Sequence, residues 1–192
     1  MKDRSIFKSG EFFCGCNYWA SHAGTNMWRE WDSEIVEKDL SRLVKAKLTV
    51  LRVFPLWSDF QPLRMHRAYG GKECEMRLGE DSFPFTPEGK AGIDPVMADR
   101  FELFCDLAKK YGLKLIVGLV TGWMSGRVHI PEALSGMNVL TDPRAVKWEI
   151  KYVRYMVSRF KNHPAVAAWD LGNECNCMGS ADRSSAYVWT AT

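Results

Sequence analysis

The 192-residue sequence predicts an α/β fold built on a parallel sheet. Three observations carry that expectation. Apolar runs rich in β-branched residues alternate with segments whose apolar residues recur at helical spacing. The strand runs are apolar for most of their length, as strands buried between helices tend to be. Links from helix to strand are very short, whereas links from strand to helix are long. Such alternation calls for right-handed crossovers between parallel strands.

The first unit is a strand over Glu11–Trp19 and a helix over Ser33–Lys45. Val36, Leu40, Leu43 and Val44 share one face of that helix, and Asp32 or Ser33 supplies its N-cap. The second strand, Leu48–Phe54, is closed by Pro55. The link from Pro55 to Ile93 contains Gly70-Gly71 and Phe83-Pro84-Phe85. It has two readings, a cover over a binding cleft or a surface insertion. The second helix is bounded by Asp94-Pro95 at its start and Gly112 past its end, with Met97, Phe101, Phe104, Cys105 and Ala108 inward. Leu113–Val120 is the third strand. The third helix follows Thr141-Asp142-Pro143, points Val146, Ile150, Val153, Val157 and Phe160 inward, and ends at Asn162-His163-Pro164. Val166–Gly172 is the fourth strand, and a fourth helix begins near Ser180 or Asp182.

The short links are Ala46-Lys47, Gly112 and His163 to Ala165. The long ones run from Ala20 to Asp32, Pro55 to Ile93 and Thr121 to Leu140. All long links therefore leave the C-terminal ends of the strands, where parallel α/β proteins build their sites. A closed barrel and an open doubly wound sheet share this asymmetry, so link length leaves both open.

Composition narrows the function classes. A chain with 46% hydrophobic and 26% charged residues reads as a globular domain. A net charge of +3 is too small to imply a nucleic-acid or membrane partner, and no apolar run reaches the roughly 18 residues of a membrane span. Met1-Lys2-Asp3-Arg4 leads into no signal-type stretch, which gives a cytoplasmic expectation. Cys14 in a strand and Cys105 in a helix read as buried thiols. The C-x-C pairs Cys14/Cys16 and Cys175/Cys177 lack the spacing of zinc knuckles, and no histidine pair supports them; no metal or cofactor is expected. Eight tryptophans are the stronger signal, since exposed indoles stack on the C–H faces of sugars. Core packing is the competing reading for each, and the preferred one for Trp148 and Trp169.

The stretch Ala168-Trp169-Asp170-Leu171-Gly172-Asn173-Glu174 carries the chemistry. An apolar strand delivers an Asn-Glu pair to the face where the long links gather. W-D-L-G-N-E resembles the fourth-strand motif of the clan of retaining (β/α)8-barrel glycoside hydrolases that includes the family 5 cellulases and mannanases. Gly15-Cys16-Asn17-Tyr18-Trp19 resembles the first-strand motif of that clan and Leu51-Arg52-Val53-Phe54 its second. Gly122-Trp123 falls where the family often sets an aromatic in the cleft.

The resemblance covers the whole chain. It implies the N-terminal half of a (β/α)8 TIM barrel, four βα units over residues 1–192, stopping within the fourth helix. It also implies Glu174 as general acid/base, Asn173 as partner of a sugar 2-hydroxyl, and Arg52 as holder of a nucleophile. Asn17, Trp19, Trp57 and Trp123 would then line the substrate, an oligo- or polysaccharide such as mannan or glucan. The family takes its nucleophile from the seventh strand, and four strands cannot supply it. Asp170 lies too deep to attack a sugar, while Glu30, Asp32 and Asp59 read as caps or solvated side chains. The expectation is thus a half-barrel inactive by itself, with Arg52 turning to Asp170 for its counter-charge. Open sheet edges add an expectation of homo-oligomers. A non-catalytic carbohydrate-binding half-barrel is the alternative. Nucleotide binding is disfavoured, because no G-x-G-x-x-G follows the first strand and no G-x-x-x-x-G-K-[ST] occurs.

Overall fold

A computed structural model of the chain describes residues 10 and 12–192. The charged start and Glu11 lie outside the described residues. In chain order the elements are β1 (Gly15–Asn17), α1 (Ser33–Lys45), β2 (Val50–Val53), α2 (Trp57–Phe60), β3 (Leu63–Arg67), β4 (Glu73–Leu78), α3 (Pro87–Ala91), α4 (Pro95–Lys110), β5 (Lys114–Val120), β6 (Trp123–Met124), β7 (Arg127–Val128), α5 (Pro143–Phe160), β8 (Val166–Gly172) and α6 (Arg183–Ala191).

The main sheet runs β1-β2-β5-β8, parallel throughout. Spatial order follows chain order without reversal. A doubly wound sheet reverses its order at a switch point, so the arrangement is that of consecutive barrel strands and resolves the choice that link lengths left open. Leu51, Val53, Leu115 and Val117 are fully buried beneath the helices. Arg52 and Asp170 belong to the opposite, concave face, because side chains alternate along a strand.

The helix starts are fixed by the residues that cap them. Asp32 accepts from the amides of Glu34 and Ile35, Asp94 from those of Val96 and Met97, Asp142 from that of Arg144, and Asp182 from that of Ser185. Each satisfies amides that the first helical turn leaves without a partner. The core between α1, α4 and the sheet is aromatic. Trp28, which the first long link delivers inward, sets its ring against Phe60 at 5.2 Å and Phe101 at 5.8 Å, and its indole donates to the Phe54 carbonyl at 2.8 Å.

Four expectations need correction. The first strand is three residues long, and Cys14 just before it is exposed. The link after β2 is not structureless: it folds into α2, the antiparallel ribbon β3–β4 and α3. Its signal was a period of two, for Leu63 pairs Leu78 and Met65 pairs Met76 across the ribbon, with Gly70 and Gly71 both at φ 78 in the turn. Finally, α5 is rotated from its predicted face. Its buried row is Ala145, Glu149, Tyr152, Met156 and Phe160, while Val146, Ile150, Val153 and Val157 are only half-buried along its flank. Counting apolar residues alone could not place a row that contains a glutamate.

Candidate active site

The C-terminal rim is assembled around Arg52. On the concave face Asn17 is in register with Arg52 on β1 and β2, and Gly118 with Asp170 on β5 and β8. Arg52 crosses over β5 to reach Asp170: its Nε donates to Asp170 Oδ2 at 2.7 Å, and its Nη2 makes an ion pair with the same oxygen. Nη2 also donates to the Gly172 carbonyl at 3.3 Å, and Nη1 to Asn173 Oδ1 at 3.2 Å. The guanidinium lies over the Phe54 ring, 4.5 Å from its centre. The Arg52–Asp170 contact inferred from strand alternation is therefore present.

A Cβ at Gly118, beneath this network on β5, would stand 2.9 Å from the Phe54 ring, so any side chain there would crowd the ring on which Arg52 lies. Trp19 stacks on the same ring, with centroids 5.4 Å apart and planes 15° apart. Half-buried Trp19 is thus held in place while part of its face stays open.

Asn173 is clamped from two directions. Arginine can only donate, so the amide must turn its oxygen to Arg52 and its nitrogen outward. Nδ2 then faces the Trp123 carbonyl at 3.5 Å, Met124 Sδ at 3.9 Å and Glu174 Oε2 at 3.3 Å. Trp123 and Met124 stand on the ribbon β6–β7, whose turn at Ser125-Gly126 takes φ 52 and 75. Sequence reasoning found Trp123 but not the ribbon, although Ser-Gly is a recognised turn signal.

Glu174 is exposed, and its backbone sits at φ 46, ψ 47 in the left-handed region. A non-glycine residue there carries strain of about 1 kcal/mol or more. The turn over Cys175–Cys177 maintains it, with Cys177 N–H donating to the Glu174 carbonyl at 2.8 Å and Met178 buried beneath. The carboxylate therefore leaves the strand end towards open space beside Asn173.

The other predicted positions divide. Trp57 is fully buried and its indole donates to Gln61 Oε1 at 2.8 Å; it packs in the core and presents no face to a ligand, contrary to the sugar-stacking expectation. Asn17 is exposed at the end of β1. Asp32 is a helix cap as expected, and Glu30 is exposed. Asp59 is neither cap nor solvated: it is buried and ion-paired with Arg29 at 2.5 Å. Burial pushes its carboxyl up while Arg29 pulls it down. Burial also holds His129 below the usual histidine range, against the pull of Asp59. With the Ser58 amide donating to the His129 carbonyl at 2.9 Å, this cluster ties the three long links together behind the rim. Among the described residues no group of three or more metal-ligating side chains occurs.

Comparison with known proteins places this geometry. A family model described as "Glycosyl hydrolases family 2, TIM barrel domain" matches residues 101–190. Mannan endo-1,4-beta-mannosidase A of Podospora anserina is 34% identical over 173 residues, covering 88% of this chain and 42% of that protein. A probable mannan endo-1,4-beta-mannosidase F of Aspergillus flavus is 26% identical over 197 residues, covering 96% of this chain and 39% of that protein. The crystal structure of GH5_18 from Streptomyces cattleya in complex with GlcNAc aligns at TM-score 0.75 and 22% identity, over 92% of this chain and 39% of that one. An exo-beta-1,4-mannosidase from an Opitutaceae bacterium aligns at TM-score 0.72 and 24% identity, over 93% of this chain and 28% of that one. The chain spans about two-fifths of the length of the curated relatives it matches. In sequence and fold together, it is a partial (β/α)8 barrel of the glycoside hydrolase kind, resembling family 5.

Proposed function

We propose that this chain supplies the acid/base half of a retaining glycoside hydrolase acting on a β-mannan. The observation that carries the reading is the clamp on Asn173, which sets its amide nitrogen beside a rim carboxylate, Glu174, at 3.3 Å. Similarity to mannosidases over nearly the whole chain supports the substrate class. Glu174 protonates the departing glycosidic oxygen as the sugar approaches an oxocarbenium ion, then takes a proton from water in the second step. Asn173 offers its N–H to the sugar 2-hydroxyl, and Trp19 and Trp123 offer ring faces to neighbouring sugars.

A retaining reaction also needs a carboxylate about 5–5.5 Å from the acid, on the other side of the anomeric carbon. Asp170 is occupied by Arg52 and Asp59 by Arg29, so neither serves. On this reading the chain by itself binds sugar and does not turn it over. Among the described residues β1 and β8 are the edge strands of the main sheet, so the isolated chain is expected to self-associate, which sedimentation velocity would read.

The test has two arms. Mannotetraose titrated into the 192-residue chain should shift the amide resonances of Asn17, Trp123, Asn173 and Glu174; silence at all four would overturn the carbohydrate site. Hydrolysis of soluble mannan and aryl β-mannosides should stay at background. Turnover that disappears in Glu174→Ala would show that the chain does hold a second carboxylate. In a chimera completed with the remaining βα units of a related mannanase, Glu174→Gln should cost about 10²–10⁴-fold in turnover of poor leaving groups.

A further inference from the structure

Glu149 is a charged residue type in a buried place that the reading above leaves unused. It belongs to the inward row of α5 and is 3% exposed. Its Oε2 accepts the indole N–H of Trp189, on α6, at 2.8 Å. Its Oε1 has no hydrogen-bond partner among the described residues. Beside it lies a cavity of about 100 Å³ whose walls include Val120, Val146, Ile150, Val153 and Leu171. Among the described residues no cation pairs with it. Arg154 of its own helix lines the same cavity but neither pairs with nor hydrogen-bonds the carboxylate among the described residues.

The other ionisable neighbour is Cys175, the residue after Glu174. Burial first, then the charges of Asp170 and Glu149, push its thiol up to about 11. Trp189 and Cys175 also line one shared cavity, together with Asn176. The Trp189 indole is thus bonded to Glu149 on one side and faces a cavity it shares with the Glu174 turn on the other.

We propose that Glu149 is a positioning residue whose protonation state sets how Trp189, and with it α6, sits beside the turn that carries Glu174. The neutral acid costs an apolar pocket less than a charge does, although its own O–H finds no acceptor among the described residues. The carboxylate fits worse, because a buried charge with an unfilled lone pair must draw in water or a new donor. Burial pushes the Glu149 carboxyl up to about 7, although the indole bond pulls the other way, so the two states exchange near neutral pH. The consequence for catalysis rests on the acid/base reading of Glu174; the seating itself does not.

The experiment is a series of ¹H–¹⁵N spectra of the whole chain between pH 5 and 9, with the Trp189 indole signal assigned through Trp189→Phe. The indole N–H should move with a midpoint near 7, and the backbone amides of Glu174 and Cys175 should follow the same midpoint. Glu149→Gln keeps the acceptor and should abolish all three titrations. Glu149→Asp keeps the acid on a shorter stem and should displace the midpoint. An indole that does not titrate would overturn the proposal, as would titration that survives in Glu149→Gln or a midpoint unchanged in Glu149→Asp. Movement of the indole with the two turn amides still would overturn the link to the catalytic turn. None of these readings requires Glu174 to be catalytic, so a failure here is separate from a failure of the enzymatic assignment.

Discussion

Replacing Glu149 by glutamine should make the chain more stable at pH 8, and much less so at pH 5. The carboxyl moves from an ordinary value of 4.5 to about 7 on folding, chiefly through burial. Its folded value lies above its unfolded value, so the unfolded chain releases the proton first. Stability from this group is full below about 4.5, declines as pH rises towards 7, and levels off above that. At about 1.4 kcal/mol for each pH unit of that gap, ionisation costs the fold about 3 kcal/mol at pH 8. Urea unfolding followed by tryptophan fluorescence at half-unit steps from pH 5 to 8.5 measures it directly. With a denaturant slope of about 2 kcal/mol/M, the variant midpoint should exceed that of the parent by about 1.5 M at pH 8. Other titrating groups contribute to both curves and cancel in the difference. A difference that is constant across the range would show that Glu149 is ionised throughout, and the burial argument would fail.

Other outcomes follow from the rim and the core. The Arg52–Asp170 pair keeps 28% and 30% of its side-chain surface exposed, between the surface and buried cases, so a double-mutant cycle on Arg52→Met and Asp170→Asn should show coupling of about 2 kcal/mol; a value below about 0.5 kcal/mol would mean that the contact is incidental. Gly118→Ala drives a Cβ to 2.9 Å from the Phe54 ring and should cost about 1–3 kcal/mol in thermal unfolding, with a changed near-ultraviolet dichroism as Trp19 loses its stack. Trp57→Phe leaves the buried Gln61 oxygen without its donor and should lower stability by about 1–3 kcal/mol while mannotetraose affinity stays the same. Weaker sugar binding in that variant would restore Trp57 to the cleft.

What could be learned from the sequence depended on how local the signal was. The starts of α1, α4 and α5 were legible because an Asp followed by a helical run, with Pro at the first helical position in two of them, states its own cap. β5 and β8 were legible as apolar runs. The meeting of Arg52, Asp170 and Asn173 was partly legible, since alternation fixes which residues share a face. Whether a tryptophan faces solvent was not legible. Trp28 and Trp57 both lie in strand-to-helix links and both are fully buried, because those links fold back over the core instead of standing in solvent. Glu149 was hidden for a related reason. Its row, with Ala145, Tyr152, Met156 and Phe160 at helical spacing, was present in the sequence, but apolar counting favoured the valine-rich flank.

The donor inventory of Arg52 shows why the rim around it is ordered. A guanidinium has five N–H donors. Two go to Asp170, one to the Gly172 carbonyl and one to Asn173, which leaves one N–H of Nη1 unassigned among the described residues. Asp170 returns the contact by accepting the Gly172 amide at 3.2 Å on its other oxygen. Strand end, arginine and aspartate therefore form a closed network before any second carboxylate arrives, and Asn173 inherits its orientation from that network. A carboxylate brought to the rim would meet an arginine already neutralised and fixed, with a single donor to spare. On the proposed function, such an arginine orients the nucleophile through that donor without pairing so strongly that it quenches its charge. Asp170 thus does more than relieve a partly buried cation: by taking two donors it sets how much positive field Arg52 has left for the rest of the rim.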